Sequence, residues 1–350
     1  MKIVFVYTKG RPKAWVDRAF DLQHFGGSEG SMIRFAQEFA KLGHSVTIYT
    51  AQAETRWFAG VKWCDFESGT LYDQFFDVTI FVRFPHAPVE GSALKVLFCT
   101  DPKIPELQCQ VARGLIDLII VISEHQKQRF QEQHPIDEGL YLVSNAGVVC
   151  AEYDRDDVAE IPGRCIYCSV GERGLKHLVS IWPKVRREVP LATLHITGGY
   201  SLWGLDIPLQ RQPVLQQLLA LEGVAYLGVV SREKLIEEQL QSQVLLLPGA
   251  EGSPEMCCMA AMECAAAGNV LIVGDIAALP ERVIEGKTGY VVKHEGDWQT
   301  VFAQKAVEAL TSPNLQEMQA LARAGERAHD YSVLAPEWIA RFKEELNARR

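Results

Sequence analysis

The chain has 350 residues, long enough for two domains of ordinary size. With 48% hydrophobic and 23% charged residues it is globular and not disordered, and a net charge of −9 argues against nucleic acid as its main partner. No apolar run approaches the ~18 residues that a membrane span needs. The opening MKIVFVYT reads as a strand, without a signal-peptide layout. Nine cysteines scattered among apolar neighbours predict free thiols in a reducing cytoplasm.

Residues 2–8 read as an apolar strand, followed by a polar loop over 9–25. Gly26-Gly27-Ser28-Glu29 then precedes a helix with Met32, Phe35, Ala36, Phe39 and Ala40 at helical spacing. Gly43 ends that helix and 45–50 is the next strand, which completes a βαβ unit with a phosphate-friendly turn at the end of its first strand. A glycine pair alone is explained equally well by turn chemistry. Residues 77–84, 95–100 and 115–123 read as strands and 124–133 as a polar helix. His125 and His134 read as surface or capping residues. Residues 151–163 are charged and end in Pro162-Gly163, which predicts a linker. Asp154, Asp156 and Asp157 within it read as solvated charge rather than metal ligands. Cys165 and Cys168, with Cys257 and Cys258, are enough thiols for a zinc site. However, an offset of three on a strand points the first two to opposite faces.

A strand over 165–170 opens the second half, and its turn carries Arg173 and Lys176. Such cations suit a diphosphate, although ordinary surface charge explains them as well. Leu178, Ile181, Trp182 and Val185 make the apolar stripe of the next helix, and 194–197 and 224–229, with Gly228, are strands. The segment 245–275 reads as strand, breaker-rich loop, helix and strand. Ser253 offers an N-cap and Pro254 a first helical residue, so the helix is expected over 255–267. That helix is almost wholly Met, Cys and Ala, hence buried, and Gly268 or Asn269 stops it. Its only charges are Glu255 and Glu263. Eight helical residues separate two groups by about 12 Å, one at the mouth and one two turns deeper. Each buried carboxylate needs a hydrogen-bond donor. Glu255 could cap its own helix and Glu263 pair with a core Lys or Arg. Alternatively, the two grip hydroxyls at either end of a ligand whose anionic centre meets the helix N-terminus, the layout of a nucleotide-sugar. A final strand lies near 290–292, and the last helix, 336–346, aligns Trp338, Ile339, Phe342 and Leu346.

Glu255-x7-Glu263 followed by CAAAGNVLIVGDIAALPE resembles the EGFGxxxLEAMACGxPVI signature of the retaining family 4 glycosyltransferases. GGSE with AQEFAKLGHSVTIYT resembles that family's GGxE…LAxxGHxVTVxT opening, and Asn145–Val148 its NGVD turn, with one residue inserted and the Asp lost. Arg173-Gly174 stands in the Lys-Gly place of the R-x4-K-G phosphate clamp. Cys168 and Ser169 fall where the earlier Arg would be, a departure shared with the SxxxRGL branch. Thr100-Asp101 stands where many members have His-Asp.

The resemblance implies an α/β chain of GT-B fold, two facing Rossmann-like domains with an interdomain cleft that closes on the sugar donor. It places an acceptor-side domain in 1–155, a donor-side domain in 156–335 and a helix crossing back in 336–350. It further implies sugar transfer, with retained configuration, from a nucleotide-diphosphate sugar to a hydroxyl of a sugar, glycan or other acceptor, without metal or cofactor. In that scheme Glu255 and Arg173 are catalytic, with Glu255 on the sugar and Glu263 on the ribose. The donor is also bound by Gly26, Gly27, Lys176, Gly228 and the N–H groups of Met256, Cys257 and Cys258. Thr100 and Asp101 fall on the acceptor side. Two other classes stay open: an epimerase or phosphorylase on the same fold, and a weakly catalytic protein that binds a donor or a partner. Arg11, Lys13, Trp15, Arg18 and Phe20 of loop 9–25 suit a lipid head group or anionic acceptor at a membrane periphery; a solvated loop is the simpler reading.

Overall fold

A computed structural model describes residues 1–7, 27–51, 55–85, 89–203, 207–208 and 212–349. Gly26 and the loop 9–25 lie outside them. The chain divides into two compact units, Met1–Gly147 with Tyr331–Arg350, and Val148–Asp330. The sequence reading put these junctions at 155/156 and 335/336.

In the first unit the strands are β1 (Lys2–Val6), β2 (Ser45–Thr50), β3 (Arg56–Phe58), β4 (Val61–Asp65), β5 (Phe76–Val82), β6 (Ser92–Phe98), β7 (Leu118–Val121) and β8 (Tyr141–Val143). They form one sheet in the order β3-β4-β2-β1-β5-β6-β7-β8, parallel except for the edge strand β3. Helices α1 (Gly27–Lys41), α2 (Leu107–Ala112) and α3 (Glu124–Gln133) connect these strands. Central strands are apolar on both faces, as a sheet covered by helices requires: Ile3, Val4, Phe5 and Val6 are all buried.

The second unit has β9 (Arg164–Cys168), β10 (Thr193–Thr197), β11 (Val224–Gly228), β12 (Val244–Leu247), β13 (Val270–Gly274) and β14 (Gly289–Val292). Its helices are α4 (Leu178–Glu188), α5 (Pro213–Leu219), α6 (Arg232–Leu240), α7 (Met259–Ala267), α8 (Trp298–Thr311) and α9 (Leu315–Glu326). The sheet is wholly parallel, in the order β11-β10-β9-β12-β13-β14. Strand order reverses between β9 and β12, the doubly wound arrangement in which ligands bind at the carboxyl ends of the strands.

Helix α10 (Tyr331–Ala348) belongs to the first unit because its apolar stripe completes that core. The Trp338 ring stacks on Phe35 with centroids 4.0 Å apart, and its indole N–H donates to Ser144 Oγ at 2.9 Å.

The stretch read as a linker is partly packed. Cys150–Tyr153 forms a 3-10 turn, and Val148, Cys150 and Tyr153 are buried against Ile236 and Leu240 of α6 and Ala266 and Ala267 of α7. Its charged residues suggested solvent, but Tyr153 and the half-buried Val158 beside them supply apolar surface that docks. Asp154 pairs with Arg327, and Asp157 with Arg155.

Candidate functional site

Two loops leave the sheet at the strand-order reversal of the second unit, one after β9 and one after β12. They approach so closely that a side chain at Gly174 has no room: a Cβ there would lie 2.1 Å from the Gly249 carbonyl oxygen. Gly174 also has φ +98°, which L side chains rarely adopt. The first loop thereby brings Arg173 onto the second. Its Nη1 donates to Ser253 Oγ at 2.5 Å, and its Nε lies 3.5 Å from Glu255 Oε2.

The helix after this loop begins later than the sequence suggested. Ser253-Pro254 resembles a helix start, yet α7 opens at Met259 with Cys258 as its N-cap. Glu255 therefore stands in the loop, and the two-turn helical separation expected between Glu255 and Glu263 does not apply. The physical cause is the Glu255 carboxylate, whose Oε1 accepts the Cys258 N–H at 3.0 Å, with the Cys257 N–H also directed at it. Cys258 takes up the resulting turn at φ 65°, in the left-handed region. The family signature has glycine at this place, and a residue with a Cβ there costs about 1–2 kcal/mol. The N–H groups of Cys257 and Cys258, expected to meet a pyrophosphate, are thus directed at Glu255.

Burial pushes the Glu255 carboxyl above its ordinary value, against Arg173 and the N–H groups of Cys258 and Cys257, which pull it down. Its side chain keeps 15% exposure. Lys176 is exposed on the turn Leu175–His177 that follows Arg173.

Glu263 stands on α7, also 15% exposed, and the partner it has was not legible in the sequence. Arg232, the first residue of α6, donates from Nη1 to Glu263 Oε1 at 2.6 Å. The other edge of that guanidinium donates from Nε and Nη2 to Glu152 Oε2 at 3.0 and 2.8 Å. Both local readings of the acids are therefore realised: Glu255 caps the backbone before α7, and Glu263 pairs with an arginine. Neither bond uses more than part of a carboxylate, which offers about four lone-pair sites. Arg232, Glu152, Tyr153, Gln239 and Ser253 carry no motif and lie far from their partners in sequence, so only the fold assembles them.

Gly228 ends β11 at φ +75°, and its carbonyl accepts from Thr197 Oγ1 at 2.8 Å and the Gly198 N–H at 2.9 Å. In the first unit Gly27 opens α1 and is exposed. Thr100 Oγ1 lies 2.7 Å from Ser28 Oγ, and Asp101 takes a two-pronged bond from Arg83 Nε and Nη2, both at 2.7 Å. Among the described residues no group of three or more His, Cys, Asp or Glu side chains is placed to hold a metal ion. None of the described helices is long and apolar enough to cross a membrane.

Residues 163–312 match the model of the family described as glycosyl transferases group 1. A curated relative, the D-inositol 3-phosphate glycosyltransferase of Mycolicibacterium gilvum, is 24% identical over 227 residues, covering 62% of this chain and 51% of that protein. The chain thus spans about half the length of the curated relative it matches. Among solved structures, a glycosyltransferase from Rickettsia africae superposes with a TM-score of 0.72 at 13% identity, covering 99% of this chain and 98% of that one. Anabaena Alr3699/HepE, solved with UDP and glucose, gives 0.68 at 14% identity, covering 98% and 100%. Residues 163–312 are accordingly similar to the glycosyl transferases group 1 family, on a chain of GT-B fold.

Proposed function

We propose that this chain is a glycosyltransferase that moves a sugar from a nucleotide-diphosphate sugar to an acceptor hydroxyl with retained anomeric configuration. One observation carries the reading: Arg173, Ser253 and Glu255 converge where the strand order reverses, a cation beside an acid that burial pushes away from its ordinary state. In the reaction the bond between anomeric carbon and diphosphate oxygen breaks, and its electron pair leaves on the phosphate. The acceptor oxygen bonds the anomeric carbon on the same face, and its proton passes to the departing phosphate oxygen. The Arg173 fork and Lys176 meet the developing charge, so the scheme draws on no metal and no cofactor. Glu255 orients the sugar hydroxyls and Glu263 takes those of the ribose; neither is assigned acid–base work.

The matched family domain and the activity in the curated relative's name support this class of reaction. UDP and glucose in the Anabaena protein make UDP-sugars the first donors to try. Nine free thiols support a reducing, cytoplasmic setting. Thr100 and Asp101 are proposed acceptor contacts. Their engagement with Ser28 and Arg83 favours a second reading, a donor-binding protein with weak turnover. A thermal-shift panel of nucleotides and nucleotide-sugars, followed by a sugar-release assay on the hits, tests both. Stabilisation with release supports the transferase, and stabilisation without release supports the binder. No stabilisation by any nucleotide would refute the donor site itself.

A further inference from the structure

The charged group around Glu263 gives one of its carboxylate oxygens a short charged bond and the other only a long one. Arg232 spends its side edge, Nε with Nη2, on Glu152 Oε2, and the second N–H of Nη2 goes to Tyr153. Only Nη1 remains for Glu263, which receives a single bond on Oε1. Glu263 Oε2 has Gln239 Nε2 at 3.5 Å, at the outer limit of a hydrogen bond. The ring closes through Tyr153, whose hydroxyl accepts from Arg232 Nη2 at 3.1 Å and donates to Gln239 Oε1 at 3.0 Å. Tyr153 and Gln239 are buried, and together with Glu152 they hold the guanidinium in this orientation. Burial disfavours the Arg232 charge, but Glu263, Tyr153 and Glu152 more than offset this.

We propose that Arg232, braced by Glu152, is a positioning residue that holds the Glu263 carboxylate in a single orientation as an acceptor for paired ligand hydroxyls. This inference rests on the donor-site reading above, in which those hydroxyls are the ribose diol. An ionised carboxylate accepts hydrogen bonds and donates none, so a diol matches it, while a nucleotide lacking those hydroxyls leaves it unmatched. Without Glu152 the arginine fork turns onto Glu263 and occupies both oxygens, because a two-pronged pair is the favoured geometry for Arg with a carboxylate. Glu152 therefore acts on the ligand only through Arg232.

The test is calorimetric titration of the purified chain with UDP, ADP, GDP and CDP and with their 2′,3′-dideoxy counterparts. Wild type is expected to prefer the ribonucleotide by roughly ten- to hundredfold, the range for hydroxyls bonded to a charged group. Glu152→Gln and Arg232→Gln should shrink that ratio to about threefold or less by weakening ribonucleotide binding while leaving dideoxynucleotide binding unchanged. Arg232→Lys, which keeps the charge but not the fork, should fall between. A purely structural role would weaken both ligands alike and leave the ratio at its wild-type value, and that result overturns the proposal. If Arg232→Gln does not fold, Glu152→Gln and Arg232→Lys give the same reading. A wild type that binds none of the diphosphates sinks the donor site and this inference together; a wild type that discriminates, with variants that still do, sinks this inference alone.

Discussion

Replacing Gly174 by alanine strikes the contact that brings Arg173 to Glu255. The added Cβ would sit 2.1 Å from the Gly249 carbonyl oxygen and 2.7 Å from its carbonyl carbon, both backbone atoms that no side-chain rotation moves away. A Cβ in the left-handed region costs about 1–2 kcal/mol, and forcing two packed segments apart about 1–3 more. The sum is roughly 2–5 kcal/mol, or a melting shift of roughly 5–15 °C for a unit of this size. Gly228→Ala is the control. Its φ of +75° carries the same backbone penalty, but a Cβ there meets nothing within 4 Å. The difference between the two variants thus isolates the contact between loops. Urea unfolding should be followed by tryptophan fluorescence and fitted to two transitions, because two units need not unfold in one. Gly174→Ala is expected to lower the second unit's transition and weaken nucleotide binding. If it is no less stable than Gly228→Ala, the two loops do not meet as described.

Other consequences follow from the same residues. Because burial raises the Glu255 carboxyl, the folded chain holds that proton more tightly than the unfolded one, and its contribution to stability declines as pH rises through the raised value. Glu255→Gln should remove this dependence and be at least as stable as wild type at neutral pH, while turnover falls on the order of 100-fold. Urea melts at several pH values beside kcat decide it, and a destabilised variant with normal turnover would make the acid structural. His177 is held down to about 4 by burial and by the Lys176 and His294 charges, so its contribution to stability is lost as pH falls from the ordinary histidine value toward 4. His177→Gln should flatten that acid limb of the stability profile; an unchanged limb rejects the assignment. Trp338→Ala should cost the first unit about 3–5 kcal/mol, read from its unfolding transition, and a cost below about 1 kcal/mol would mean α10 is not part of that core.

The parallel sheets were legible because their strands are apolar on both faces, and α1 and the Trp338 stripe were legible from helical spacing. The segment 245–275 showed its strands and its glycine stop, but not its helix start. Ser253-Pro254 has the composition of a helix opening, yet a side-chain carboxylate one residue later competes for the same N–H groups and wins. Likewise, 151–163 has the charge of a linker, but Tyr153 docks onto α6 and α7. The Arg232–Glu263 bond joins residues on two helices separated by a strand, and no local pattern encodes such a pairing. The edge strand β3 is three residues long and largely exposed, which leaves little alternation to detect.

Proton NMR of the purified chain turning over an α-configured nucleotide-sugar, read before the released sugar equilibrates, speaks most directly to the chemistry assigned to this site. The account predicts that the first product is the α-anomer, and that it disappears when Glu255 is replaced by glutamine. A β-anomer as first product would contradict the same-face mechanism, and α-product formed undiminished by Glu255→Gln would contradict the site.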